Sequence, residues 1–287
     1  MSSSVRQASS ALHQFREFDY TQADFDRLRT LSNRHSGILV PDDKFDMFYS
    51  RLSKRVRALG LKSFKDYCRM LEDGSAQEFT NFINSITTNL TAFFRENHHF
   101  DYLKKKLIPE LIEKNQSTRQ IRAWSAGCST GEEAYSIAMT LLENLPTGWT
   151  AKILATDIDT QVLTTAADGV YELSRVNGIP DERLKRWFKK GTGPNSGKVK
   201  AKPELRQIIA FKSLNLMQDW PIRVPFDFIF CRNVFIYFDR ETKKTLADKY
   251  SNLLINDSCL FIGHSESLQQ VTDRFELIGN TIYRKTR

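Results

Sequence analysis

The chain has 287 residues, with 42 Lys and Arg against 34 Asp and Glu, a formal net charge of +8. A hydrophobic content of 40% and an aromatic content of 11%, including 20 Phe, support a packed core and exclude a disordered or collagen-like chain. No apolar run reaches the ~18 residues that a membrane-spanning helix needs. The four cysteines, Cys68, Cys128, Cys231 and Cys259, are scattered without a CxxC pair, so neither a disulfide framework nor a metal site is expected. The opening "MSSSVRQASSALHQF" lacks the charged-then-apolar order of a secretory signal, and a reducing cytoplasm fits best. The positive charge points to an acidic partner: nucleic acid, an anionic membrane face or an acidic protein.

In chain order, residues 1–20 are polar and read as a flexible N-terminus. Residues 21–85 read as a small all-helical domain. Thr21 followed by Asp24 has the form of a helix start, and Phe25, Leu28 and Leu31 follow at helical spacing. In "SRLSKRVRALG", residues 50–60, Leu52, Val56 and Leu59 form an apolar stripe, with Arg51, Lys54, Arg55 and Arg57 on and beside the opposite face.

After about residue 88 the period changes. "QIRAWSA" (120–126), "AKILATD" (151–157), "IIAFKSL" (208–214), "FDFIFCRN" (226–233) and "CLFIG" (259–263) read as strands. Several are apolar without alternation, as strands buried on both faces are, and helix-length segments separate most of them. This rhythm predicts an α/β fold with a doubly wound, mostly parallel sheet over residues 86–287. An insert at about 169–207 breaks it. There "GTGPNSG" (191–197) joins two short basic, alternating segments, which predicts a small antiparallel β-subdomain.

The segment "WSAGCSTGEEAYSIAM" (124–139) carries the chemistry. A strand runs through a turn with Gly127 and Gly131 into a helix, the arrangement that cradles a ligand at a helix N-terminus. The glycines do not fit GxGxxG, and no Gly-Lys-Ser/Thr follows for nucleotide phosphates. Glu132 and Glu133 would repel a pyrophosphate but suit S-adenosylmethionine, which is cationic at sulfur and nitrogen and has no phosphate. One of the two serves the helix dipole; Glu133 is assigned the ligand contact and Glu132 the helix terminus. Asp157, closing the second strand, is placed to accept hydrogen bonds from ribose hydroxyls. Cys231 is read as a small buried hydrophobe, and the pair His98–His99 as packing histidines.

Taken together, "TTNLTAFFRENHHF" (87–100), the glycine turn, "ATDID" (155–159), "FDFIFCRNVFIYF" (226–238) and "GHSES" (263–267) resemble the chemotaxis receptor methyltransferases, the CheR family. The likeness runs in order from about residue 21 to the C-terminus. It implies a Rossmann-like class I methyltransferase sheet, a helical N-terminal domain that faces the receptor, and an inserted β-subdomain. It also implies S-adenosylmethionine-dependent methylation of glutamate side chains on bacterial chemoreceptors, giving methyl esters and S-adenosylhomocysteine. Carried over by motif, the cofactor-binding positions are Asn89, Thr91, Arg95, Glu133, Asp157, Asn215, Leu216, Arg232 and Asn233. Arg95, Arg232 and Tyr237 fall at the methyl-transfer end. Arg51, Lys54, Arg55 and Arg57 become the face that approaches acidic receptor helices. In some members the β-subdomain also docks a short peptide at the receptor C-terminus. A cytoplasmic protein recruited to membrane-bound receptor arrays is expected, without nucleic acid as a partner, and with a monomer as the default state.

A glutamate side chain has a pKa near 4.3 and is ionised at neutral pH, so methyl transfer to it needs no general base. The tasks left are positioning, water exclusion and charge matching. Two rivals stand beside this reading: an RNA or DNA methyltransferase, and a non-catalytic cofactor-binding module. "CRNVFIY" lacks the prolines usual in base methyltransferases, and the joint presence of Arg95, Arg232 and Tyr237 favours chemistry. A nicotinamide dehydrogenase is disfavoured by the carboxylates at the turn.

Overall fold

The computed structural model describes residues 16–286 and divides into two compact units, one ending at Thr87 and the other beginning at Thr88. Residues 1–15, most of the expected flexible N-terminus, lie outside the described residues. Tyr20, at the end of that expected stretch, is buried, with its ring 4.4 Å from Phe64 and 4.5 Å from Phe45.

Among the described residues, the first unit has four α-helices: α1 (Gln22–Ser36), α2 (Phe45–Ala58), α3 (Phe64–Glu72) and α4 (Ala76–Ile86). Their starts are set by local chemistry. Thr21 and Asp24 form a reciprocal capping box on α1, and Ser63 and Ser75 cap α3 and α4 through their hydroxyls. Gly37, at φ 72°, closes α1 in the left-handed conformation that glycine adopts without a steric cost. Phe25, Leu28, Phe48, Leu52, Val56, Phe64 and Phe82 fill the core.

The basic residues of α2 do not form one open face. Arg55 reaches buried Glu78 on α4 through Nε (3.0 Å) and Nη2 (2.5 Å), and Tyr67 and Asn81 donate to the same carboxylate. Burial raises the Glu78 carboxyl, but the Arg55, Asn81 and Tyr67 hydrogen bonds outweigh it and hold it below the ordinary range. Arg51 donates to the carbonyls of Ile86 (2.9 Å) and Thr87 (2.7 Å), closing the C-terminal end of α4. Arg57 pairs with Glu17 at the surface, and Lys54 is exposed. Of the four positions expected on the receptor face, Arg51 and Arg55 also make contacts that hold the unit together, while Lys54 and Arg57 are exposed.

The second unit opens with α5 (His98–Tyr102), which runs through a π-helical turn at Leu103–Leu107 into α6 (Ile108–Lys114). The strands that follow in chain order are β1 (Gln120–Ala126), β2 (Thr150–Asp157), β3 (Val170–Glu172), β4 (Phe188–Lys190), β5 (Lys198–Ala201), β6 (Ile209–Ser213), β7 (Phe226–Phe230), β8 (Leu254–Phe261), β9 (Phe275–Gly279) and β10 (Ile282–Lys285). Between them lie α7 (Glu132–Asn144), α8 (Thr160–Asp168), α9 (Asp181–Trp187), α10 (Pro203–Arg206) and α11 (Arg240–Leu253).

Seven strands form one sheet in the order β6-β2-β1-β7-β8-β10-β9. The first five are parallel, and β10 pairs antiparallel with both β8 and β9. Side-chain alternation divides the interior into two cores. Ile121, Ala123, Phe228, Phe230 and Phe261 pack on the side of α7. Trp124, Ala126, Ile229, Cys231 and Leu260 pack on the side of α11. This is the doubly wound α/β arrangement with central strands buried on both faces.

The insert forms its own antiparallel sheet, β3-β5-β4. The turn between β4 and β5 needs Gly191, because a Cβ there would lie 2.1 Å from the Asn195 carbonyl oxygen. The sequence signalled β4 and β5 but not β3, nor the terminal hairpin of β9 and β10.

Candidate functional site

In an open parallel sheet, ligands bind beyond the carboxyl ends of the strands where the strand order reverses. Here that point lies between β1 and β7. The turn after β1 is held by its own backbone: Gly127 N and Cys128 N both donate to Thr156 O, at 2.8 and 2.9 Å. Gly127 and Gly131 have φ of 89° and 96°. A Cβ on Gly127 would lie 2.5 Å from Val234 Cγ2, and one on Gly131 2.8 Å from Ala166 Cβ. Both glycines are thus required by conformation and by space.

The acidic neighbours of the turn are buried and engaged. Glu133 Oε1 accepts from Ser125 Oγ (2.6 Å), and its Oε2 accepts from Arg232 Nε (2.7 Å). An ionised carboxylate has about four acceptor sites, so this leaves capacity for a ligand. Glu132, expected to serve only the helix terminus, is fully buried; it accepts from Thr130 Oγ1 (2.6 Å) and pairs with Arg175 of the insert. Arg175 thereby ties the β-subdomain to the first turn of α7.

Asp157 differs from both. Its carboxylate accepts from Ser129 N (2.8 Å) and Asp159 N (3.0 Å). Burial pushes its pKa up to about 6, against the lowering effect of these backbone bonds. Asn215 stands beyond the neighbouring strand end, where Leu214 N donates to Asp157 O (3.0 Å). Asn215 Oδ1 accepts from Met217 N (3.0 Å), and Lys249 Nζ fixes the same loop through the carbonyls of Leu216 (3.3 Å) and Gln218 (2.7 Å). Leu216 packs partly buried against the α11-side core.

Arg232 is the hub of the other half. Besides Glu133 it donates to Arg95 O (2.5 Å) and approaches His99 Nδ1 (3.3 Å), and its guanidinium lies over the rings of Phe100 and Phe230. Glu96 Oε2 is 3.7 Å away. Sequence reading assigned Arg232, with Arg95 and Tyr237, to orienting the substrate carboxylate; its side chain is 3% exposed and engages these groups. Arg95, by contrast, is only half-buried, with Nη1 on Leu90 O (2.9 Å). Asn89 Nδ2 donates to Asp159 (2.8 Å), and Ser129 Oγ donates to Asn89 O (3.1 Å), so the segment carrying Asn89, Thr91 and Arg95 is pinned to the turn.

His99 is fully buried. Its Nε2 meets Asn280 O (2.9 Å), which assigns the proton to Nε2 and leaves Nδ1 to accept from Arg232. Burial, followed by the Arg232 charge, pushes its pKa down to about 3. Glu96, His98 and His99 bring ligand-type atoms within 4.8 Å of one another. Both nitrogens of His99 are nevertheless engaged, and the Arg232 guanidinium stands beside it, so this cluster is a hydrogen-bonded packing group. The loop after β7 completes the site: Asn233, at φ 59°, is followed by a 3-10 turn, Phe235–Tyr237, that carries half-buried Tyr237.

The donor set at the strand ends consists of carboxylates and amides around a glycine turn, with Asp157 offering an acceptor not neutralised by a cation. It fits a cationic cofactor with ribose hydroxyls and no phosphate, and defines an S-adenosylmethionine-binding methyltransferase. The family model for the CheR methyltransferase SAM-binding domain matches residues 89–284, and that for the CheR methyltransferase all-alpha domain matches residues 23–87. The chain is 45% identical to chemotaxis protein methyltransferase 2 of Pseudomonas aeruginosa over 93% of its length and 94% of that protein's. It is 42% identical to the chemotaxis protein methyltransferase of Salmonella typhimurium, covering 96% of this chain and 95% of the relative. The Escherichia coli chemotaxis protein methyltransferase is likewise 42% identical, with 96% of each chain covered. The protein belongs to the CheR methyltransferase family.

Sequence reasoning missed Ser125, Arg175, His99 and Glu266 as members of this arrangement. Ser125, His99 and Glu266 stood inside the motifs "WSAGCSTGEEAYSIAM", "TTNLTAFFRENHHF" and "GHSES" without being singled out for the site, and Arg175 has no local pattern, because its partner Glu132 is 43 residues away.

Proposed function

We propose that the protein transfers the methyl group of S-adenosylmethionine to glutamate carboxylates of bacterial chemoreceptors, giving glutamyl methyl esters. The observation that carries the carboxylate assignment is the state of His99. With both nitrogens engaged and a pKa near 3, it cannot take a proton at neutral pH. A carboxylate acceptor arrives ionised and needs no base.

When bound, the cofactor supplies an electrophilic methyl on a sulfonium. Asp157 and Asn215 would hold its ribose and adenine side, and Glu133 with Asn89 and Asn233 its amino-acid side. Arg95 and Tyr237 orient the incoming carboxylate, and Arg232 acts through Glu133 and the Arg95 carbonyl rather than by gripping substrate. Light contact from Arg95 suits the chemistry, since a tight bidentate pair would lower the carboxylate's nucleophilicity. Lys54 and Arg57 supply positive charge toward acidic receptor helices. No described helix is long and apolar enough to cross a membrane; the reading places the enzyme in the cytoplasm, recruited to receptor arrays.

The test is product chemistry. With methyl-labelled cofactor and chemoreceptor-containing membranes, mild base should release the label as methanol, as a glutamyl ester does. Label that survives base on the receptor, or that enters RNA, would overturn the assignment.

A further inference from the structure

The loop that carries Asn233 and Tyr237 follows β7, and its regular structure is limited to the short 3-10 turn at Phe235–Tyr237. It closes around one buried side chain. Glu266, 6% exposed, lies in the loop that follows β8. Its Oε2 accepts from Asn233 N (2.9 Å) and from Gly263 N, and its Oε1 accepts from Ile236 N (3.1 Å). Its own N–H donates to Gly263 O (2.9 Å), closing the turn that aims the carboxylate.

The fit has no slack. A Cβ on Gly263 would lie 2.4 Å from Asn233 Nδ2 and 2.9 Å from both Asn233 N and Glu266 Oε2. Asn233 is held at φ 59°, in the left-handed region that asparagine adopts more readily than other non-glycine residues but that still gains from enforcement by its surroundings. A buried carboxylate that gathers several backbone N–H groups gives such enforcement, since losing it would strand those donors away from water.

We propose that Glu266 is a positioning residue for methyl transfer: its carboxylate draws the N–H groups of Gly263, Asn233 and Ile236 together and so fixes the loop that presents Asn233 and Tyr237. This rests on the reading of those two residues given above. Glu266 touches neither substrate nor cofactor in this role; it acts through the loop.

Glu266→Gln tests it, because the amide keeps the shape and turns one acceptor into a donor that faces a backbone N–H. The control is Asp227→Asn at the opposite end of β7, where Asp227 accepts from Arg122 N (2.6 Å) and Asn115 Nδ2 (2.8 Å). Both variants lose bonds to a buried carboxylate and both lower the unfolding temperature. Glu266→Gln should lose about tenfold or more in kcat with receptor KM nearly unchanged, while Asp227→Asn stays within about twofold of wild type. Tyr237→Phe supplies the second readout. If Glu266 acts through the loop, the Glu266→Gln, Tyr237→Phe double variant loses little more than the worse single one. Multiplicative losses, or equal losses in Glu266→Gln and Asp227→Asn, would overturn the proposal. Wild-type turnover in Tyr237→Phe would instead overturn the assignment of Tyr237, and Glu266 would then stand or fall on its kcat against the Asp227 control.

Discussion

Half-buried Arg55 on buried Glu78 in the first unit and enclosed Arg232 on Glu133 in the second have the same chemistry and different work. Arg55 meets Glu78 in a fork-to-fork contact between neighbouring helices, and Tyr67 and Asn81 complete the carboxylate. Arg232 meets Glu133 through a single nitrogen and spends the rest of its guanidinium on a carbonyl, an imidazole and two aromatic faces. The first pair closes on itself. The second gathers chain from the segment before α5, the start of α7 and the loop after β7, all at the carboxyl ends of the strands. A buried ion pair therefore does not by itself mark a site; the convergence of loops around it does.

Substitution at Arg232 should break this contrast open furthest. Arg232→Met leaves Glu133 buried without its cation, at a cost of ~3–5 kcal/mol, and should abolish methylation even in the molecules that remain folded. Isothermal titration with S-adenosylhomocysteine checks the binding side; wild-type affinity would remove Arg232 from the site. Arg55→Ala should cost ~2–3 kcal/mol by stranding Glu78, while turnover per folded molecule stays unchanged. Because the Glu78 carboxyl is held below its unfolded value, that stability is present above the unfolded pKa and is lost as pH falls through the folded one. Thermal unfolding should thus show the Arg55 difference at pH 7 and a smaller one in acid; a constant difference would contradict the pairing.

Asp157 sharpens the comparison from the other side, as a buried acid with no arginine. Its folded pKa of about 6 lies above the reference value of 3.8. The stability linked to it is complete below the unfolded value and is lost as pH climbs through about 6. Asp157→Asn escapes that pH-dependent loss, but its amide turns a donor toward the N–H of Ser129 or Asp159, so its stability should vary less than that of wild type between about pH 5 and pH 7.5, with ~10-fold weaker cofactor binding from a lost charged acceptor. A variant whose stability falls with pH as steeply as that of wild type would refute the account of Asp157 as an unpaired acid. The smallest effect belongs to the surface. Lys54→Glu should slow receptor methylation about threefold at low salt and hardly at all at high salt, as an exposed charge does; equal rates at every ionic strength would remove Lys54 from the receptor face.

Much of the architecture was legible because its signals are local. The Thr21–Asp24 start, the turn glycines, and β1 over Gln120–Ala126 need only neighbouring residues to be read. β9 was missed because four of its five residues are exposed and carry no burial pattern. In the site, the positions matched by motif were found, and their internal partners were not. Arg55 and Glu78 are 23 residues apart, Glu132 and Arg175 are 43, and Glu133 and Arg232 are 99. A charge run in sequence reads as a solvated face until the fold brings its partners, and neither the carbonyls that Arg51 reaches nor the carboxylate that Arg55 reaches lies close to it in the chain.

His99 and the Asn280 carbonyl are 181 residues apart, yet their hydrogen bond underlies the imidazole that accepts from Arg232. The glycine turn is held by the carbonyl of Thr156, nearer in the chain, whereas this part of the site depends on the hairpin of β9 and β10. The arginine hub thus rests on a contact from the C-terminal hairpin, so weakening that hairpin should loosen Arg232 without touching any residue of the glycine turn.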